Sequence, residues 1–201
     1  MEHIIHLSKD KKLKKLIEIQ KPFVLARRKD VYLHLCASIL SQQLSTKVAK
    51  VFHQRFLNLY TTKNPAPREI LETPFETLKG IGLSNAKAKY LHNVCIFFIE
   101  NKITDARLYK MSNEEVIDLL TQIKGVGRWT VEMILMFTLG REDVFAIDDF
   151  GIQQSITKLY KLGGTDKKLM KEKILLISSK WSPYRTYACR YLWRWKDAAP
   201  M

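Results

Sequence analysis

Apolar residues recur every three or four positions along nearly the whole chain, and this spacing constrains the fold more than any other feature. The clearest stripes are Ala88, Leu91, Cys95 and Phe98, then Val116, Leu119, Leu120 and Ile123, and finally Val31, Leu35, Ile39 and Leu40. Runs that alternate apolar and polar residues, which are typical of strands, are almost absent. The pattern therefore predicts an all-α protein of about nine or ten helices with short connections between them.

Local signals predict where several helices begin and end. Thr73-Pro74-Phe75-Glu76 and Ser112-Asn113-Glu114-Glu115 have the form of capping boxes, and Ser182-Pro183 places a proline at the start of another helix. The helix that begins near Val31 is expected to stop near Ser41. The stripe that marks the next helix consists of Val48, Val51, Phe52, Phe56 and Tyr60.

The charge balance narrows the possible partners. The chain has 201 residues, with 34 Lys and Arg against 20 Asp and Glu, so its formal net charge is +14. Hydrophobic residues make up 46% of the chain, which is enough for an ordinary core and argues against disorder. A positive excess over a normal core attracts polyanions, with nucleic acid ahead of anionic membrane. No apolar run is long enough to cross a bilayer, the N-terminus does not read as a secretory signal, and three widely spaced cysteines suggest neither a disulfide framework nor a metal cluster.

The strongest local motif is Ile123-Lys124-Gly125-Val126-Gly127-Arg128-Trp129-Thr130, which lies between two apolar helices. Two glycines around one apolar residue allow a hairpin that is too tight for side chains. The hairpin leads directly into a helix N-terminus, where outward-pointing N–H groups bind a phosphate oxygen without reading a base. The motif predicts a clamp on the DNA backbone, although an ordinary helix–turn–helix joint has the same pattern. Lys124 and Arg128 either add phosphate contacts or are solvated charges.

This hairpin resembles that of the helix-hairpin-helix DNA glycosylase superfamily, whose catalytic aspartate lies a short distance further along the chain. Residues 144–152 occupy that place here, and the superfamily pattern of Asp, two variable residues and an aliphatic residue matches Asp149-Phe150-Gly151-Ile152. The resemblance implies that Asp149 is catalytic and that Asp148 is a helix cap or a neighbour that tunes the site. From the residues alone, the two aspartates would be read as a helix N-cap pair.

Further motifs specify the branch of the superfamily. Residues 39–49 resemble the ILxQQxSxxxA stretch of 3-methyladenine DNA glycosylase II enzymes, and residues 82–91 resemble their GLSxxKAxYL stretch. Near the C-terminus, residues 181–188 and 191–194 resemble their WxPYRSxA and YLW segments, so the resemblance extends over about residues 25–196. It implies an all-α, two-lobed helix-hairpin-helix DNA glycosylase fold with the active site in the cleft between the lobes. One lobe would take residues 25–141, and the other would take 1–24 plus 142–201.

The residue types indicate the reaction. Bifunctional members carry a lysine two positions after the second hairpin glycine, and its amine forms a Schiff base with the sugar, whereas Trp129 stands there in this chain. The chain also has too few cysteines for the four-cysteine cluster of the endonuclease III-like branch. The resemblance implies a monofunctional hydrolase without lyase activity, which cleaves the N-glycosidic bond of alkylated purines such as 3-methyladenine and 7-methylguanine in double-stranded DNA. The alternatives are a helix-hairpin-helix module that binds DNA without catalysis and a glycosylase for another damaged base.

The resemblance also implies individual site residues. Trp129, Trp193 and Met133 fall at positions of the base pocket, although either tryptophan could instead belong to the core. Gln43, with Gln42 beside it, falls in the turn that fills the gap left by a flipped base, although this turn could be a simple polar helix end. The implied DNA-binding set is Gly125, Val126, Gly127, Arg128, Thr130, Gln42, Gln43 and Ser45. No cofactor and no side-chain metal site is expected, but hairpins of this kind hold a monovalent cation on backbone carbonyls, here those of Thr121, Ile123 and Val126.

Two departures from the family concern substrate range and length. Met133 and Arg194 stand where some relatives have tyrosines, which suggests a different preference among alkylated bases. The chain is too short to include the N-terminal mixed α/β domain of the longer bacterial form, so we expect the short form. We further expect a monomer that acts on DNA and not at a membrane, in the cytoplasmic nucleoid of a bacterium or in the nucleus of a eukaryote.

Overall fold

The computed structural model describes residues 1–164 and 166–198, and their regular structure consists entirely of α-helices. The thirteen helices are α1 (Glu2–Leu7), α2 (Lys11–Glu18), α3 (Val31–Ser41), α4 (Thr46–Leu57), α5 (Pro67–Glu72), α6 (Phe75–Gly80), α7 (Asn85–Glu100), α8 (Asp105–Lys110), α9 (Asn113–Leu120), α10 (Arg128–Phe137), α11 (Phe150–Tyr160), α12 (Lys167–Ser179) and α13 (Arg185–Ala198). The predicted all-α class is confirmed. The predicted number of helices was too low, because α1, α5 and α8 have six residues each and are too short to show a periodic apolar face. Within the described residues, no helix is long and apolar enough to cross a membrane.

A helix begins at or within three residues of each of the three predicted starts, but only one of the three predicted caps forms. Ser112 and Glu115 form the predicted capping box, with Ser112 Oγ accepting from the Glu115 N–H at 3.2 Å and Glu115 Oε2 accepting from the Ser112 N–H at 2.6 Å. Thr73 instead ends α5, where its hydroxyl donates to the carbonyl oxygen of Glu69 at 2.8 Å. Ser182 does not cap α13, which begins at Arg185, because its hydroxyl donates to Asp143 Oδ2 at 2.8 Å. In both cases the hydroxyl donates to a partner outside the predicted helix start, and no hydrogen bond from a first-turn N–H to its oxygen is formed.

The apolar face predicted for α4 is only partly buried. Phe56 is fully enclosed, but Val48 and Val51 are exposed. Tyr60 lies beyond the end of the helix at Leu57 and packs edge-on against Phe56. The periodicity therefore predicts the helix correctly but not the extent of its buried face.

The chain divides into two compact units. The central unit consists of Arg27–Leu139, and the terminal unit consists of Met1–Ala26 together with Gly140–Met201. In the central unit, α7 packs against α3, α5 and α6, and its stripe of apolar residues is buried as predicted. In the terminal unit, α13 packs against α2 and α11, and Trp181 and Tyr191 are fully enclosed.

Asp10 connects separate segments of the terminal unit. Its carboxylate caps α2 by accepting from the backbone N–H groups of Lys12 at 3.0 Å and Leu13 at 3.1 Å. It also accepts hydrogen bonds from the Tyr160 hydroxyl and from Trp181 Nε1, the latter at 3.2 Å. Burial alone would raise the pKa of Asp10, but these hydrogen bonds outweigh burial and lower its pKa below the ordinary value.

Replacing Asp10 by alanine is expected to lower the free energy of unfolding at pH 7 by about 2–4 kcal/mol, because α2 loses its cap and the buried indole N–H of Trp181 loses its acceptor. The pKa of Asp10 is lower in the folded than in the unfolded state. The stability that its ionised carboxylate contributes is therefore fully present above the unfolded-state pKa of about 4, and it is lost as the pH falls through the folded-state pKa. Urea unfolding of both proteins at pH 7 and at about pH 2 measures the difference.

Asp166→Ala is the matched control for Asp10→Ala, because Asp166 makes the same kind of cap at the exposed start of α12. It should cost only about 1 kcal/mol. A destabilisation by Asp10→Ala that is equally large at both pH values would contradict the assigned role of the Asp10 carboxylate.

Candidate active site

The segment between α9 and α10 is a tight hairpin, as the glycine pattern predicts. Gly125 has a φ of +104°, and a Cβ atom added to it would lie 2.3 Å from Cγ of Tyr90. The Val126 N–H donates to the carbonyl oxygen of Ile123 at 2.9 Å, and the Val126 side chain is buried. Gly127 is the N-cap of α10 in an extended conformation, with no atom within 4 Å of a Cβ added there. The backbone at Gly127 therefore remains open to a ligand at the start of α10.

The first turn of α10 carries two of the residues predicted to bind DNA. The Arg128 guanidinium lies 3.2 Å from Glu132 Oε1 and 3.4 Å from Glu114 Oε1. Because Glu132 is only 4% exposed, Arg128 balances a buried carboxylate in addition to any contact with phosphate. Thr130 is buried as a whole residue, at 4% exposure, so its predicted contact with DNA stays a prediction.

The central unit contains a cavity of about 650 Å³ that brings together four of the predicted site residues. Trp129 and Met133 come from α10, and Gln42 and Gln43 come from the turn after α3. The complete lining consists of Arg28, His34, Ala37, Ser38, Ser41, Gln42, Gln43, Leu44, Trp129, Met133, Ile134, Phe137 and Thr138. Trp129 is 44% exposed, which is unusual for such a large apolar side chain and is consistent with a ring that meets a ligand.

The polar face of α3 was missed by the sequence analysis. His34, Ala37, Ser38 and Ser41 recur at helical spacing between the buried apolar residues, and all four line the cavity. This break in an otherwise apolar helix is the signal that could have identified them. Burial lowers the pKa of His34, and the nearby Arg28 lowers it further, so the imidazole is neutral near pH 7.

The turn after α3 is held in an unusual conformation. Gln43 is exposed and has a φ of +60°, and the Gln42 side chain donates from Nε2 to the carbonyl oxygen of Gly125 at 3.2 Å. Ser45 caps α4, with Oγ accepting from the Val48 N–H at 3.4 Å. The turn and the hairpin therefore contact each other directly within the central unit.

Asp149 lies in the terminal unit as the N-cap of α11. Its Oδ1 accepts from the Ile152 N–H at 2.8 Å and from Trp193 Nε1 at 2.9 Å, so two donors orient the carboxylate. A Cβ added to Gly151 would lie 3.1 Å from the same oxygen, which shows how closely the backbone approaches it. Of the two alternatives for Asp148, the cap is wrong, because Asp149 is the N-cap and the Asp148 carboxylate forms an exposed ion pair with Lys171 Nζ at 2.7 Å. A neighbour that tunes the site stays a prediction.

Another cavity, of about 540 Å³, lies in the terminal unit, and neither Asp149 nor Trp193 lines it. This cavity is formed by residues of α11, α12 and α13, including the exposed Phe150 and the half-buried Trp195. Within residues 1–164 and 166–198, no group of three or more His, Cys, Asp or Glu side chains is placed to hold a metal ion.

Comparisons with known proteins agree with this geometry. The family model described as HhH-GPD superfamily base excision DNA repair protein matches residues 36–179. DNA-3-methyladenine glycosylase 1 of Schizosaccharomyces pombe is 37% identical over 186 residues, which cover 92% of this chain and 80% of that protein. The protein named putative DNA-3-methyladenine glycosylase YfjP, from Bacillus subtilis, is 31% identical over 201 aligned residues, which cover 96% of this chain and 69% of that protein.

The solved structures include a close match. The S. pombe 3-methyladenine DNA glycosylase Mag1 in complex with abasic DNA superposes with a TM-score of 0.85 at 35% identity, over 99% of this chain and 98% of that one. This likeness confirms the helix-hairpin-helix glycosylase fold that the motifs predict.

Proposed function

We propose that this chain, which belongs to the HhH-GPD superfamily of base excision DNA repair proteins, hydrolyses the N-glycosidic bond of alkylated purines in double-stranded DNA and leaves an abasic site. The relatives named DNA-3-methyladenine glycosylase and the fold shared with an enzyme bound to abasic DNA support this activity. The observation that carries the proposal is Asp149, whose carboxylate is oriented by the start of α11 and by the Trp193 indole at the position of the superfamily's catalytic aspartate. A module that only clamps an anionic backbone has no use for an oriented carboxylate.

The chemistry assigned to Asp149 is electrostatic. Alkylation at N3 or N7 gives a purine base a positive charge, so the base is already a good leaving group and needs little general acid. Positive charge then develops on the sugar as the glycosidic bond breaks. A fixed carboxylate stabilises that charge and accepts a hydrogen bond from the attacking water. The two donors on Oδ1 keep the carboxylate from reorienting during the reaction.

Base recognition is assigned to the cavity of the central unit. The target base must leave the stack before its glycosidic bond is accessible. The exposed ring of Trp129 attracts a cationic base by about 0.5–2 kcal/mol through the cation–π effect. Met133 lies beside it and adds a polarisable apolar surface. The neutral imidazole of His34 adds no positive charge to that of Arg28, which lines the same cavity.

We propose that the enzyme has no lyase activity. Trp129 follows Gly127 at the position where bifunctional relatives carry the lysine that attacks the sugar, and an indole cannot form a Schiff base. Borohydride added during turnover should therefore trap no covalent protein–DNA adduct. A trapped adduct would show that another amine attacks the sugar, which would exclude a purely hydrolytic mechanism.

We also propose that the protein acts as a monomer and needs no cofactor for hydrolysis. The hairpin carbonyls of Thr121, Ile123 and Val126 would hold a monovalent cation near the DNA phosphate. The Ile123 oxygen fits this role, because it accepts the Val126 N–H and keeps a second lone pair. Replacing K⁺ by tetramethylammonium at constant ionic strength should weaken DNA binding if the cation is present, and unchanged affinity would exclude it.

The function is tested by base release from duplex DNA treated with a methylating agent. Chromatography should detect free methylated purines, and the DNA should acquire one alkali-labile abasic site for each base released. Undamaged DNA is the control and should yield no free base. Tight binding to DNA without any release would favour the non-catalytic module. Release from a parallel duplex that contains oxidised bases, with none from the methylated duplex, would favour a different damaged base as the substrate.

A further inference from the structure

One face of α7 contacts both loops that are proposed to meet DNA. Lys87, Tyr90 and Asn93 are spaced three residues apart and therefore lie on the same side of the helix. The Tyr90 ring lies against Gly125, and Asn93 Nδ2 donates to the carbonyl oxygen of Lys124 at 3.1 Å. These two contacts position the hairpin. Lys87 is the member of the set that contacts the other loop.

Lys87 binds the end of α3. Its Nζ donates to the carbonyl oxygens of Leu40 at 2.9 Å and Gln42 at 2.8 Å. Carbonyls in the last turn of a helix have no donor within the helix, and a positive charge is favourable there. The ammonium group donates to these two carbonyls in place of water, and partial burial lowers the pKa of Lys87. The lysine is therefore a charged C-terminal cap supplied by a different helix.

The segment held by Lys87 adopts a conformation that needs outside support. Gln43 follows Gln42 directly and has a φ of +60°, and a residue other than glycine pays about 1 kcal/mol or more in this region. The Gln42 backbone is bound by Lys87 while its side chain is bound to Gly125. These contacts immobilise the residue before Gln43, so the direction of the Gln43 side chain is set by its backbone.

We propose that Lys87 is a positioning residue that holds this turn so that Gln43 enters the space left in the duplex by the flipped base. The proposal rests on the proposed glycosylase function, because it assigns Lys87 to the base-flipping step of that reaction. It differs from the simplest reading of a lysine in a basic protein, which is a direct contact with phosphate. A positioning lysine affects flipping, whereas a phosphate contact affects binding to every DNA sequence.

The two roles are separated by Lys87→Met, compared with Lys89→Met as the control. Lys89 is an exposed lysine on the same helix, so its replacement removes the same charge without touching the turn. Lys87→Met should reduce the single-turnover rate of base release by about 10-fold, leave affinity for undamaged duplex within about two-fold, and leave the salt dependence of binding unchanged. Lys89→Met should excise at the wild-type rate. A phosphate contact by Lys87 would instead weaken binding to all duplexes and reduce the salt slope by about one unit, which would overturn the proposal.

A second readout does not require excision. A duplex that contains 2-aminopurine next to the target position becomes fluorescent when the neighbouring base is unstacked. Wild-type protein should raise this fluorescence, Lys87→Met should lose most of the rise, and Lys87→Arg should recover part of it because a guanidinium can also donate to two carbonyls. Thermal unfolding of all three variants shows whether each is folded, and Lys87→Arg remains informative if Lys87→Met is not.

These two readouts distinguish the failure of this proposal from the failure of the proposed function. If wild-type protein releases no base, the glycosylase function fails, while the fluorescence of Lys87→Met still tests the turn. If wild-type protein releases base and Lys87→Met matches it in rate and fluorescence, the positioning role is wrong and the glycosylase function stands.

Discussion

Replacing Asp149 by asparagine is expected to reduce the single-turnover rate of base release by at least about 100-fold while DNA binding is retained. Asparagine keeps the size of the side chain and caps helices about as well as aspartate. Its carbonyl oxygen can still accept from the Ile152 N–H and from Trp193 Nε1, so α11 and its contact with α13 should persist. What disappears is the negative charge that stabilises the sugar cation and orients water.

The matched control is Asp148→Asn. This neighbouring carboxylate is exposed and pairs with Lys171, so its replacement removes one negative charge without changing the contacts of Asp149. Asp148→Asn should release base within about two-fold of the wild-type rate, because exposed ion pairs contribute little. Thermal unfolding and a DNA titration should give near-identical results for both variants. Retained base release in Asp149→Asn would refute the catalytic assignment, and equal losses in both variants would point to a general effect of charge.

The sequence predicts the long helices and the hairpin because their signals are local. The stripe on α7 and the Gly125-Val126-Gly127 pattern each depend on residues close in the chain, and the structure forms both. The short helices α1, α5 and α8 could not be predicted, because a helix of six residues shows less than two turns of periodicity, and α6 was predicted only from the signal at its start. The start of α13 could not be predicted either, since it depends on Asp143, which is far from Ser182 in sequence.

The site residues show the same division between local and distant signals. The pattern that contains Asp149 is local and can be recognised in the sequence. The ion pair of Asp148 could not be predicted, because its partner Lys171 lies 23 residues further along the chain. The contacts of Lys87 could not be predicted from the stretch 82–91, because nothing local shows that α3 ends against α7. The polar face of α3 carries a local signal, yet an apolar helix with occasional serines is common enough that only the cavity identifies its role.

Replacing Gly125 by alanine is expected to lower both the stability of the protein and its affinity for DNA, because two separate causes of strain act at this position. The φ of +104° lies where L residues are strained, and the new methyl group would lie 2.3–2.7 Å from three atoms of the Tyr90 ring. We expect a loss of about 2 kcal/mol or more in the free energy of unfolding and at least about a 10-fold loss of affinity for duplex DNA. Urea unfolding and a fluorescence-anisotropy titration measure the two quantities.

Gly127→Ala is the control from the same hairpin. Nothing lies within 4 Å of a Cβ at this position and its φ is −95°, so alanine should cost only the about 1 kcal/mol by which it is a poorer N-cap than glycine. With the hairpin itself unstrained, the affinity of this variant for DNA reports how closely the backbone at the start of α10 approaches a phosphate. If Gly125→Ala binds and unfolds like the wild type, the hairpin does not need glycine there and the backbone clamp is excluded.

The double variant Gly125→Ala with Tyr90→Ala separates the two causes of strain. Removing the ring relieves the steric overlap but leaves the positive φ of residue 125 unchanged. Stability is therefore measured against Tyr90→Ala alone, so that the loss of the ring itself cancels. If the added cost of Gly125→Ala falls to about 1 kcal/mol in this background, the overlap with Tyr90 accounts for most of the effect. Tyr90 lies on the same face of α7 as Lys87 and Asn93. A smaller cost in the Tyr90→Ala background would therefore also mean that packing against α7, and not the backbone preference of the turn, sets the position of the hairpin.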